Sequence, residues 1–176
     1  MSNLKKLILA GILVAITVVC SGFYVPVGIA KCYPVQHAIN LIAGVLLGPW
    51  YAMGAAFLSS LIRVLMGTGS LLAFPGSMIG AFCCGLLFER IGRLWVAYLG
   101  EVIGTGILGA IAAYPIAVLF MAKEAALFGF VIPFIVSTVG GTTLALPIVL
   151  ALSKVKGFPL ATKQVASRYY PKVENE

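Results

Sequence analysis

The chain has 176 residues, 61% of them hydrophobic and only 10% charged, with a mean hydropathy of +1.10, against about 25% charged for an ordinary soluble domain. Such a composition describes a membrane protein and leaves no room for a nucleotide-binding module. The net charge of +7 does not point to nucleic acid, because no basic surface is interleaved with aromatic residues as single-strand binding requires.

Charge-free stretches run over Leu7–Ala30, Cys32–Ile62, Val64–Phe88, Val102–Ala122 and Ala125–Ser153. A spanning helix needs about 20 apolar residues, so several stretches can cross a bilayer and one can cross twice. The predicted class is all-α: a polytopic membrane protein with six spans at about 4–21, 35–48, 50–66, 74–90, 94–121 and 129–153. They form one domain, 1–155, followed by a basic tail, 156–176.

The first span begins after Lys5 and Lys6 and resembles the n- and h-regions of a secretory signal. Val19 ahead of Cys20 is too bulky for a lipoprotein-type cleavage site, so a retained helix is expected. Gly11 and Ala15 stand four apart on it, as do Gly76 and Gly80 on span four, Thr105, Gly109 and Ala113 on span five, and Ser137, Gly141 and Ala145 on span six. Without a hydrophobic drive between helices in lipid, small residues let backbones approach. Internal packing is the first reading of each stripe. Cys20, Cys32, Cys83 and Cys84 lack zinc-site spacing and read as small apolar thiols.

Span two is short enough to need tilt or local thinning, and Gly48-Pro49 turns the chain into span three. Lys5, Lys6, Arg90, Arg93, Lys154, Lys156, Lys163, Arg168 and Lys172 account for nine of the twelve basic residues. They fall on one side of the six-span arrangement, which the positive-inside rule makes cytoplasmic. Both termini are then inside, and the 21–34, 67–73 and 122–128 loops are outside.

Polar groups within such spans need reasons, since a charge at mid-membrane costs about 2.5–3.5 kcal/mol on insertion scales. Arg63, near the outer end of span three, either snorkels to the headgroups or points inward. Glu101 lies about two turns into span five from the inner side, a depth that argues against an Arg63–Glu101 pair. A buried Glu101, protonated or ionised, is expected to brace neighbouring helices rather than meet a ligand. Gln36, His37 and Asn40 open span two, with 36 and 40 on one helical face. Their predicted place is the outer interface, where they either bond the adjacent loop or wall a pocket. Tyr24, Lys31 and Tyr33 in the loop above, and the glycine-rich stretch before Phe74, would cover them, giving the aromatic walls and few polar groups that a small organic ligand needs. If the cluster only anchors the loop, the pocket lies on spans five and six around Tyr114 and Ser137.

Enzyme chemistry fits poorly. The chain has no aspartate and one histidine, and Glu89, Glu124, Glu174 and Glu176 lie in loops or tail. Neither a carboxylate pair nor a metal cluster can be assembled from these; no catalytic residue, cofactor or metal is expected.

The stretches "KCYPVQHAINLIAGVLLGPWYA", "GTGSLLAFPGSMIGA" and "EVIGTGILGAIAAYPIA" resemble the ThiW family over residues 1 to about 155. These are substrate-binding S components of energy-coupling factor (ECF) importers assigned to thiazole precursors of thiamine. The resemblance implies a six-helix S component that captures hydroxyethylthiazole or a relative outside a prokaryotic cell. It also implies association with a transmembrane coupling protein and two cytoplasmic ATPases, with Gly11 and Ala15 matching the small-residue docking face of the first helix. Two other classes stay open: a proton-coupled secondary transporter, which would need Glu101 to titrate, and a non-transport assembly protein, which would bind no small molecule.

Overall fold

The computed structural model describes residues 1–27, 30–122 and 127–153. Lys123, Glu124 and the basic tail from Lys154 onward lie outside the described residues. Six helices make up the described architecture: α1 (Asn3–Val19), α2 (Pro34–Leu47), α3 (Pro49–Leu65), α4 (Ala73–Ile91), α5 (Leu94–Met121) and α6 (Val131–Ser153). Local chemistry sets their ends. The Ser2 hydroxyl accepts the Lys5 N–H at 3.5 Å to open α1. Pro34 and Pro49 sit in the first turns of α2 and α3, where their missing N–H costs nothing. Gly92, at φ 69°, closes α4 by returning its N–H to the Phe88 carbonyl at 2.8 Å.

Four helices, α1, α4, α5 and α6, are long and apolar enough to cross a membrane. They expose large side chains such as Leu7, Leu119, Phe120, Ile132 and Leu144, a surface that water would not tolerate. Helix α2 is different. Its 14 residues reach only about 21 Å, and all but three are buried by protein. It runs through the middle of the bundle, against α3, α4 and α6. Being shielded from lipid by its neighbours, it can carry polar groups. Leu41 and Val45 on α2 pack with Leu13 of α1, Ala81 and Cys84 of α4, and Ala145 and Val149 of α6 to form the main apolar core.

Where the sequence predicts a loop over 21–34, the chain instead forms an antiparallel hairpin, β1 (Val25–Val27) and β2 (Ala30–Cys32), with Pro26 opposite Lys31. Cys32 ties its end to α6 by donating to the Pro133 carbonyl at 3.2 Å.

The small-residue stripes on α4, α5 and α6 are close helix–helix contacts. A Cβ on Gly109 would come within 2.6 Å of the Gly76 Cα, and one on Gly104 within 2.9 Å of the Gly80 Cα. Between them α5 widens into a π-helical stretch, Gly104–Gly109, the local form that often marks functional sites. Gly11 and Ala15 behave otherwise: both are exposed, and a Cβ on Gly11 would meet nothing within 4 Å.

Candidate substrate cavity

A cavity of about 230 Å³ opens between the hairpin and the helices. Its walls come from Lys31 and Tyr33 beside the hairpin, Gln36 and His37 on α2, the Gly67–Ser70 connection, Ser77 on α4, Thr105 in the π-helical stretch, and Phe134 and Ser137 on α6. Six stretches of the chain thus converge. Their groups are amide, imidazole, hydroxyl and aromatic, with Lys31 the one cation among the described residues of the wall.

Three side chains fix the aromatic side. The Tyr33 N–H donates to the Ser137 hydroxyl at 2.9 Å, and its phenol donates to the Thr68 carbonyl at 3.0 Å. The Arg63 guanidinium stacks on the Tyr33 ring, 4.0 Å from its centroid, a geometry worth about 2 kcal/mol when desolvated. Arg63 also donates to Gln36 Oε1. Fully buried, it does not snorkel to a headgroup, because its stem lies against Gly69 and the chain folds back over it. Arg63 therefore holds Tyr33 and Gln36 from behind and does not itself line the cavity.

A second set of bonds links α2, α3, α4 and α5. Gln36 Nε2 donates to Ser60 at 3.3 Å, and the Ser60 and Ser77 hydroxyls lie 3.0 Å apart. Asn40 Nδ2 donates both to the Ser77 carbonyl at 3.2 Å and to Glu101 Oε1 at 3.0 Å. His37 Nδ1 meets the same Glu101 oxygen at 3.0 Å, and the Thr105 hydroxyl lies 3.1 Å from it. Glu101 is fully buried and braces α2 against α5. Gln36 joins the two sets, with Arg63 at one end and Glu101 at the other, and Arg63 and Glu101 do not pair with each other.

The predicted cluster of Gln36, His37 and Asn40 is buried by protein, because α2 is central. Gln36 and His37 reach the cavity; Asn40 stands behind it, bonded to Glu101. Lys31, Tyr33 and Ser137 line it as well. Tyr24 does not: it packs outside Tyr33 at 6.0 Å between ring centroids, with Lys31 Nζ 4.4 Å above its ring. Tyr114, half-buried on α5, is not brought to the cavity. Sequence reasoning did not single out Ser60, Thr68, Ser77 or Phe134. Helical spacing carries a signal for three of them: Ser60 is three before Arg63, Phe134 three before Ser137, and Ser77 adjoins Gly76 on the packed face of α4.

No curated protein and no solved structure matches the chain. The family model for the thiamine-precursor transporter protein (ThiW) matches residues 7–155, which takes in α1 from Leu7 onward and the whole of α2 to α6. The chain belongs to the ThiW family of thiamine-precursor transporters.

Proposed function

We propose that this chain is the S component of an ECF importer in a prokaryotic plasma membrane. It captures hydroxyethylthiazole or a related thiazole outside and delivers it inward with a coupling protein and two ATPases, supplying no ATPase site of its own. The observation that carries the reading is the cavity itself. Its 230 Å³ or so suits a ligand smaller than a drug-sized molecule, and its wall sets Tyr33 and Phe134 beside Gln36, His37, Ser77, Thr105 and Ser137. Apart from Lys31, whose Nζ lies over the Tyr24 ring, this is aromatic surface with a few neutral hydrogen-bonding groups, which fits a small uncharged ring bearing one alcohol.

Calorimetric titration of the purified protein with hydroxyethylthiazole tests this. Saturable binding of one ligand per chain is expected, and no heat with any thiazole precursor would end the proposal. Gln36→Ala and His37→Ala should each weaken binding roughly threefold to a hundredfold, the cost of a lost hydrogen bond with or without a stranded buried partner. Because both side chains are buried in bonded networks, with Gln36 accepting from Arg63, both variants should also melt at lower temperature than the parent.

The same reading places both termini and the Gly48-Pro49 turn in the cytoplasm and the hairpin outside, following the basic residues. Cys32 is a poor reporter of this, being 2% exposed and bonded to Pro133. Val25, 53% exposed on β1, is a better one. In a Cys20→Ser chain, which removes the partly exposed thiol beside the hairpin, Val25→Cys should add modification by an impermeant thiol reagent in intact cells, and a C-terminal reporter should be cytoplasmic. A C-terminus on the outside would refute the six-span arrangement.

A second reading, a proton-coupled secondary transporter, draws on the buried His37–Glu101 pair beside the cavity, since intramembrane acids mark proton relays. Thiazole uptake by proteoliposomes holding this chain alone, driven by a pH gradient without ATP, would favour it over the S-component reading.

A further inference from the structure

The bonds around Glu101 determine which nitrogen of His37 carries hydrogen. The Ser77 carbonyl can only accept, so the Asn40 atom facing it at 3.2 Å is the amide nitrogen. That nitrogen's second N–H is then the group 3.0 Å from Glu101 Oε1. Oε1 is therefore an acceptor, whether Glu101 is ionised or holds a proton on Oε2. With no proton on Oε1, His37 Nδ1, at 3.0 Å from the same oxygen, is the donor. In the neutral ring, Nε2 is left with a lone pair, on an imidazole that lines the cavity.

We infer that Glu101 is a positioning residue that holds His37 as a hydrogen-bond acceptor, so that the cavity selects ligands presenting a hydroxyl donor over ligands that only accept. This rests on the proposed thiazole-binding role and adds the chemical class of the recognised group. The alcohol would donate to Nε2; an ether or an ester at that place would set lone pair against lone pair. The arrangement needs three elements in register: α2 for His37 and Asn40, α4 for Ser77, and α5 for Glu101. Gly80 is part of the fit, because a Cβ there would run into the Thr105 hydroxyl and come within 2.7 Å of Glu101 Oε2.

His37 is the only histidine in the chain, so its two ring nitrogens can be observed without ambiguity. In protein labelled with ¹⁵N-histidine at neutral pH, long-range ¹H–¹⁵N correlation should show a protonated Nδ1 and an unprotonated Nε2. The reverse tautomer, or hydrogen on both nitrogens, would overturn the inference, even if the thiazole alcohol still binds. Conversely, failure of any thiazole to bind would end the transport reading while leaving the tautomer standing. With binding in hand, the parent should prefer the thiazole alcohol over its O-methyl ether by about tenfold. Glu101→Met, which keeps volume but removes the acceptor, should abolish that preference and release the Nδ1–H tautomer, whereas Glu101→Gln, which keeps an acceptor oxygen, should retain most of both. Equal affinity of the parent for alcohol and ether, or tighter binding of the ether, would equally overturn the proposal. The nitrogen spectrum of the parent decides the matter even if the methionine variant does not fold.

Discussion

Gly141→Ala is expected to lower the melting midpoint by roughly 5 °C or more and weaken ligand binding at least tenfold, while the neighbouring Gly140→Ala leaves both unchanged. The two glycines adjoin in sequence but differ in what faces them. A Cβ on Gly141 would strike the Pro34 carbonyl and come within 2.8 Å of the His37 Cβ. These are the backbone and stem of α2, which cannot swing aside as the end of a flexible side chain can. The helices must separate, and overpacking of this kind costs about 1–3 kcal/mol, or several degrees in a chain of this size. Separation also moves His37 away from Glu101 and shifts Tyr33, whose N–H is held by Ser137 on α6. Stability and affinity should therefore fall together. Gly140 is exposed with nothing within 4 Å of an added Cβ, and alanine is the better helix former. Thermal melting in detergent and calorimetry on both variants measure the contrast; similar behaviour of the two would mean that α2 and α6 do not approach at backbone distance.

What the sequence reveals of this molecule follows from which forces are local. Charge-free runs, prolines at 34 and 49 and glycines at 48 and 92 mark helix ends through backbone chemistry alone, so the predicted segments and the observed helices differ by only a few residues. The hairpin escaped because Val25–Val27 and Ala30–Cys32 are each three residues long, too short for alternation to stand out from apolar text. Depth was the larger difficulty. Gln36 and His37 open an apolar helix, and in sequence that looks the same whether the helix faces lipid or lies at the centre of a bundle; only packing against α3, α4 and α6 decides. Arg63 likewise has two physically acceptable fates at the end of a span, and the one adopted depends on Tyr33, thirty residues earlier in the chain. The His37–Glu101 bond joins residues 64 apart, and nothing in either local segment names the other. Spacing nevertheless held a usable hint: Thr105 stands one turn beyond Glu101, and both point the same way into the bundle.

On the proposed S-component reading, leucine at Gly11 or Ala15 should abolish ATP-driven thiazole uptake by the assembled importer, while the isolated chain keeps its melting temperature and its affinity for ligand. The first helix packs against α3 and α2 through Leu13 and Val14, leaving Gly11 and Ala15 on its outer side. Leu7 and Gly11 of α1 line an apolar groove together with Trp50, Gly54 and Leu58 of α3. Glycines at 11 and 54 have nothing within 4 Å of an added Cβ, so the groove is shallow-walled space that another helix can enter. In lipid, that kind of small-residue surface gains its energy from close backbone approach, and a leucine would hold a partner helix off by the width of its side chain. On the proposed reading the partner is the transmembrane coupling protein, without which the chain receives no energy from ATP. The cavity is lined from the hairpin side of the bundle by residues that do not include α1, so filling the groove should leave Tyr33, Gln36 and His37 in place. Co-purification of the coupling protein with Gly11→Leu and Ala15→Leu chains, measured beside calorimetry of each chain alone, separates the possibilities. Lost co-purification with intact ligand binding is the expected result; a parallel loss of affinity and melting temperature would instead make the stripe part of the internal packing, and normal uptake by both variants would place the coupling protein on another face.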